Sequence, residues 1–87
     1  MATVKVELTA DWVLVVPAVK NFIIDNGSSY VAEITFADSL PAPSAPYHKV
    51  AAGAGLVRMG VSGAVYARDS QDDGTGRDAW INVSAEA

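Results

Sequence analysis

The stretch NFIIDNGSSYVAEITFA, residues 21–37, sets the fold class of this chain. Its first part, NFIID, is a short run with β-branched and aromatic residues. Its last part, YVAEITFA, places Tyr30, Ala32, Ile34 and Phe36 on one side of an extended backbone. Side chains of a strand point alternately to opposite faces, so this spacing predicts strands rather than a helix. DNGSS lies between the two parts. Asn and Gly both tolerate positive φ, and the dipeptide Asn26-Gly27 favours the tight turn of a hairpin. The stretch therefore predicts a β-hairpin reaching from Phe22 to Phe36.

The same signal repeats outward in both directions. TVKVELT, residues 3–9, alternates Val4, Val6 and Leu8 with Lys5 and Glu7. WVLVV, residues 12–16, is a short apolar run closed by Pro17, which has no N–H to donate to a ladder. Downstream, residues 47–51, 56–61, 64–68 and 79–84 read as four more short strands, with glycine-marked turns between them. Residues 56–61 and 64–68 are joined through GVSG, and a long hairpin loop is expected between the last two strands. No segment sustains a 3.6-residue period with caps. About seven to eight short antiparallel strands with regular turn signals predict an all-β fold, a small β-sandwich or jelly-roll-like barrel. Residues 1–87 make a single β domain. DSLPAPSAP, residues 38–46, holds three of the four prolines and reads as an extended, polyproline-like connection. It is either a surface crossover between sheets or a semi-rigid arm lying along a neighbouring subunit.

Composition narrows the function. Of the 87 residues, 51% are apolar and 18% charged. A chain this short buries only about 60–65% of the surface its unfolded form exposes. So much apolar material predicts self-association or docking on a larger assembly. The net charge is −4, and the six basic residues, Lys5, Lys20, Lys49, Arg58, Arg68 and Arg77, are scattered. No basic run is present to neutralise phosphates, which argues against nucleic acid and against an anionic membrane surface. The chain has no cysteine, hence no disulfide, thiolate metal site or cysteine nucleophile. MATVKVELTADW lacks the basic and apolar regions of a secretory signal. The longest apolar run, WVLVVPAV, is far short of a membrane span. Synthesis in the cytoplasm is expected.

Four features compete as sites. DSQDDGTGRD, residues 69–78, packs four aspartates and two glycines into ten residues. Read as a calcium loop, it has Asp69, Gln71 and Asp73 at the first, third and fifth positions and Gly74 at the sixth. The twelfth position is Trp80, which offers no oxygen, so turn chemistry is the preferred reading and no metal is expected. His48 has no nucleophile or orienting carboxylate beside it in sequence, so no triad is read there. GAGLVRMG lacks the Lys-Ser/Thr and the helix of a phosphate loop. Trp12, Tyr47 and Trp80 are aromatic residues near strand ends, and aromatics are enriched both in cores and in interfaces.

The order KVELTADWVLVV, FIIDNGSSYVAEITF, a proline-flanked crossover, AAGAGLVRMGVSGAVYAR and AWINVSAEA resembles small virion proteins of tailed bacteriophages. What that resemblance implies is a β-sandwich or jelly-roll module that decorates or cements a capsid, or forms part of a fibre, commonly as a homotrimer. It implies no enzyme activity and no cofactor.

The expectation is therefore a non-enzymatic virion structural protein, a trimeric decoration or cement protein on the outer surface of the head. It is made in the host cytoplasm and bound to the major capsid protein or another virion protein. Trp12, Pro41, Pro43, Pro46 and Tyr47 are the expected partner contacts. The alternative is a receptor- or carbohydrate-binding module of a tail or head fibre. Its site would combine Trp80 with Asp69 and Asp73.

Overall fold

The structure, a computed structural model, describes residues 3–16, 21–58, 63–71 and 78–86. These contain eight strands: β1 (Thr3–Glu7), β2 (Val13–Val16), β3 (Asn21–Asp25), β4 (Ala32–Ala37), β5 (His48–Val50), β6 (Gly55–Arg58), β7 (Ala64–Arg68) and β8 (Trp80–Glu86). They form two four-stranded antiparallel sheets, ordered β1-β8-β3-β6 and β2-β7-β4-β5. Each strand of the first half pairs with its mirror in the second: β1 with β8, β2 with β7, β3 with β6, β4 with β5. The chain is thus one long antiparallel ribbon. The ribbon rolls up, and β8 then joins β3 while β7 joins β4. This is the strand order of a jelly roll, within the all-β class that alternation predicts.

Alternation decides which side chains meet between the layers. Phe22 and Ile24 of β3 and Ile81 and Val83 of β8 point inward from one sheet. Val65 and Ala67 of β7, Ala32 and Ile34 of β4, Val16 and Val50 point inward from the other. Phe22 and Phe36 meet across the gap with ring centroids 6.0 Å apart. His48 extends that row at the mouth of the sandwich, 6.0 Å from Phe36. It is exposed.

The strands fall where the alternation places them, but three connections differ from expectation. β3 and β4 are not a hairpin; they lie in opposite sheets. Both carry an inward apolar face, and the two faces pack against each other instead of side by side. Gly27 is not in the positive-φ region that a tight hairpin turn would require. Residues 26–31 instead carry the chain across the roughly 10 Å between sheets. β6 and β7 likewise belong to different sheets, and so do β7 and β8, so the last two strands are not a hairpin. Residues 38–47, by contrast, link β4 to β5 within one sheet and cross to no other.

Candidate functional site

The outward positions of the β2-β7-β4-β5 sheet should be polar and wet, yet four of them are buried. Glu33 and Thr35 point outward from β4, and Tyr66 and Arg68 from β7; all four are less than a tenth exposed. The proline-rich segment lies over them. Thr35 Oγ1 donates to the carbonyl of Pro46 at 2.8 Å, and Arg68 Nη1 to that of Pro43 at 2.8 Å. The indole N–H of Trp12 donates to the carbonyl of Ala42 at 3.0 Å. Proline suits such a strap, because it holds an extended backbone whose carbonyls remain free to accept. The segment thus lies along its own sheet.

Arg68 is the centre of this face. Its Nε lies 2.7 Å from Glu33 Oε1, and the two side chains are only 10% and 7% exposed. Its guanidinium sits 4.0 Å from the centre of the Trp12 ring and 5.5 Å from that of Tyr47. The second carboxylate oxygen of Glu33 accepts a hydrogen bond from the Ser70 hydroxyl. At the β4–β5 end of the strap an open cleft of about 360 Å³ remains, lined in part by Tyr30, Glu33, Tyr47, Lys49, Ser70 and Gln71.

The five expected contact residues divide in two. Trp12 is buried under Arg68, and its indole N–H is bound to its own chain. Pro43, Pro46 and Tyr47 share this face, and Tyr47 stays 41% exposed. Pro41 is half-buried in the same strap.

The alternative trio is not assembled. Asp69 is fully buried; its backbone N–H donates to the Thr9 carbonyl at 2.7 Å, and its carboxylate accepts the Gln71 N–H. That is an Asx-type turn. Trp80 lies on the outer face of the other sheet, with Lys5 Nζ 4.8 Å above its ring. Asp73 lies outside the described residues. Among the described residues no three His, Asp or Glu side chains gather as metal ligands would.

Trp80 rests on Gly27. A Cβ built on Gly27 would stand 2.4 Å from one ring carbon of Trp80 and 2.9 Å from another. Gly27→Ala must therefore displace the indole, and a destabilisation of about 1 kcal/mol is expected in urea unfolding. In a Trp80→Ala background the obstruction is gone. There the same change should turn neutral or stabilise by about 0.4–1 kcal/mol, through the lower entropy of the unfolded chain. A cost that persists without Trp80 would refute the steric explanation.

A second surface lies at one lateral side. Among the described residues β1 and β2 are free edges, each paired on one side only. The contacts of β2 with β8, and of Phe22 on β3 with Phe36 on β4, align the sheets so that β1 and β2 share that side. Val4 is 57% exposed there and Leu14 50%. β2 reads VLVV and carries no charge. Natural edge strands are usually blunted by charge, proline or a cover, and an apolar edge is a template for association.

Sequence reading missed Glu33, Arg68, Tyr30 and Lys49. The available signal was a single charge inside each of two apolar strands, AEITFA and AVYAR. The chain matches no protein-family model, no curated protein and no solved structure, so its function is read from its own residues.

Proposed function

We propose that this chain is a structural protein of a tailed-bacteriophage virion: a non-enzymatic, homotrimeric decoration module bound to the major capsid protein on the outside of the head. The observation that carries the reading is the lateral edge where the uncharged strand β2 lies beside β1, with Leu14 and Val4 half or more exposed. A lone soluble domain gains nothing from such an edge. A protein that is soluble when made and is covered by identical neighbours or a shell gains affinity from burying it. The jelly-roll order supports the same reading, because that architecture recurs in capsid modules. Fold alone does not assign function, and the resemblance noted in the sequence supplies the virion context.

Light scattering on the purified chain should give a mass of three chains. Leu14→Lys should leave the fold intact, changing stability by about 0.5 kcal/mol or less, since the site is exposed. It should also weaken assembly and binding to undecorated heads by ~10-fold or more, because the ammonium would be buried unpaired. A wild-type chain that stays monomeric and shows no saturable binding to heads would overturn the proposal.

A further inference from the structure

The cleft at the β4–β5 end of the strap is separate from the β1/β2 edge and has its own chemistry. Glu33 lines it, but its charge is balanced by Arg68 at 2.7 Å. Lys49 stands directly across from Glu33 in the β4–β5 ladder and makes no ion pair within the described residues. Lys49 thus brings to the cleft a cation with no ion-pair partner among the described residues, in a chain whose total is −4. Tyr47, 41% exposed, adds an aromatic surface, and Tyr30 lines the cleft while it packs against the core. Ser70 and Gln71 add a hydroxyl and an amide. The carboxylate of Glu33 accepts a hydrogen bond on each oxygen, from Arg68 and from Ser70. A carboxylate offers about four lone-pair sites, so it retains capacity for further donors.

We propose that this cleft binds an acidic monosaccharide unit, a hydroxylated ring that carries a carboxylate. A volume of about 360 Å³ lies at the small end of ligand sites, which suits one ring rather than an extended chain. A sugar ring has C–H faces that pack on tyrosine and hydroxyls that both donate and accept. The hydroxyls meet Glu33, Ser70 and Gln71, and the ring carboxylate meets Lys49. A neutral apolar ligand would leave these polar groups unpaired. A bare anion would leave the tyrosines unused.

The test is an NMR titration of the full chain with three probes: glucuronate, glucose and acetate. Glucuronate is expected to saturate with a Kd on the order of 1 mM, the range set by so few ligand atoms. The shifted amides should centre on Tyr30, Tyr47, Lys49 and Gln71. Glucose should bind about tenfold more weakly, the share of one charge-assisted contact. Lys49→Ala should reduce glucuronate binding to the glucose level and leave the melting temperature unchanged, because Lys49 is exposed. Acetate should give no saturable shift at equal concentration. Acetate binding as tightly as glucuronate, glucose binding as tightly as glucuronate, or no saturable shift at the cleft with any probe would each overturn the proposal. So would glucuronate binding that Lys49→Ala leaves unchanged.

Discussion

Arg68→Ala is expected to destabilise the domain by about 3–5 kcal/mol, the usual consequence of leaving one member of a buried ion pair alone. For a domain of this size that corresponds to a fall of ~15 °C or more in melting temperature. Total stability is on the order of 5–15 kcal/mol, so the variant sits near the edge of folding. The size of the effect comes from convergence. One guanidinium pairs with Glu33, donates to the Pro43 carbonyl and covers the Trp12 ring. Without it the Glu33 carboxylate remains buried with only the Ser70 hydroxyl among its named partners. The strap loses one of its three anchors, leaving the bonds from Thr35 and Trp12. Proteolysis should then cut first within residues 38–47. Pairing Arg68→Met with Glu33→Leu tests the electrostatic part. The double variant removes both charges, and buried pairs replaced by apolar groups are often nearly neutral. A coupling energy of about 2–3 kcal/mol between the two sites is expected from the double-mutant cycle. Additive effects of the two changes would show that Arg68 acts by packing alone.

The parts of this protein legible in its sequence are the local ones. Period-two alternation is a property of one strand, so the positions of the strands could be read from runs such as AEITFA and WINVSAE. Pairing is not local. Phe22 and Ile24 present the same pattern whether β4 lies beside them or across from them, and the Asn26-Gly27 signal tipped the choice toward a hairpin. Asn26 instead bonds to Val50, 24 residues away, a contact that no local rule encodes. The buried face was hidden for the same reason. Glu33 and Arg68 are 35 residues apart, and each looks like a solvent-facing charge in an amphipathic strand. Only the strap makes them interior. The strap itself has no periodicity, so its apolar atoms gave no hint of the surface they cover. Turn chemistry at Asp69 was legible, because an Asx turn reaches only two residues ahead.

Asn26→Asp should be more damaging than Asn26→Ala, although it preserves the shape of the side chain. Asn26 is fully buried and uses all four of its side-chain hydrogen-bonding sites. Its Nδ2 donates to the carbonyls of Tyr30 at 2.6 Å and Val50 at 2.9 Å. Its Oδ1 accepts from the Ser28 N–H at 3.1 Å and the Ser28 hydroxyl at 2.8 Å. Its backbone adds bonds to Ala54 and Gly53 in the β5–β6 turn, where Gly53 holds φ at 79°. One residue thus ties the β3–β4 crossover to the end of β5. Asn26→Ala removes all four side-chain bonds and takes a donor from the carbonyls of Tyr30 and Val50, with an expected loss of about 2–4 kcal/mol. Asn26→Asp puts an acceptor where two carbonyl oxygens require a donor. The charged form is opposed there by burial and by both carbonyl dipoles, so the folded state favours the protonated carboxyl. The folded protein then binds more protons than the unfolded chain, and stability falls as pH rises. The variant should be least impaired below about pH 4, the ordinary aspartate range, and lose further stability toward neutral pH. Urea unfolding of both variants across pH 3–7 measures this. Equal losses for the two variants at every pH would mean that Asn26 fills space and that its amide does not join the two segments.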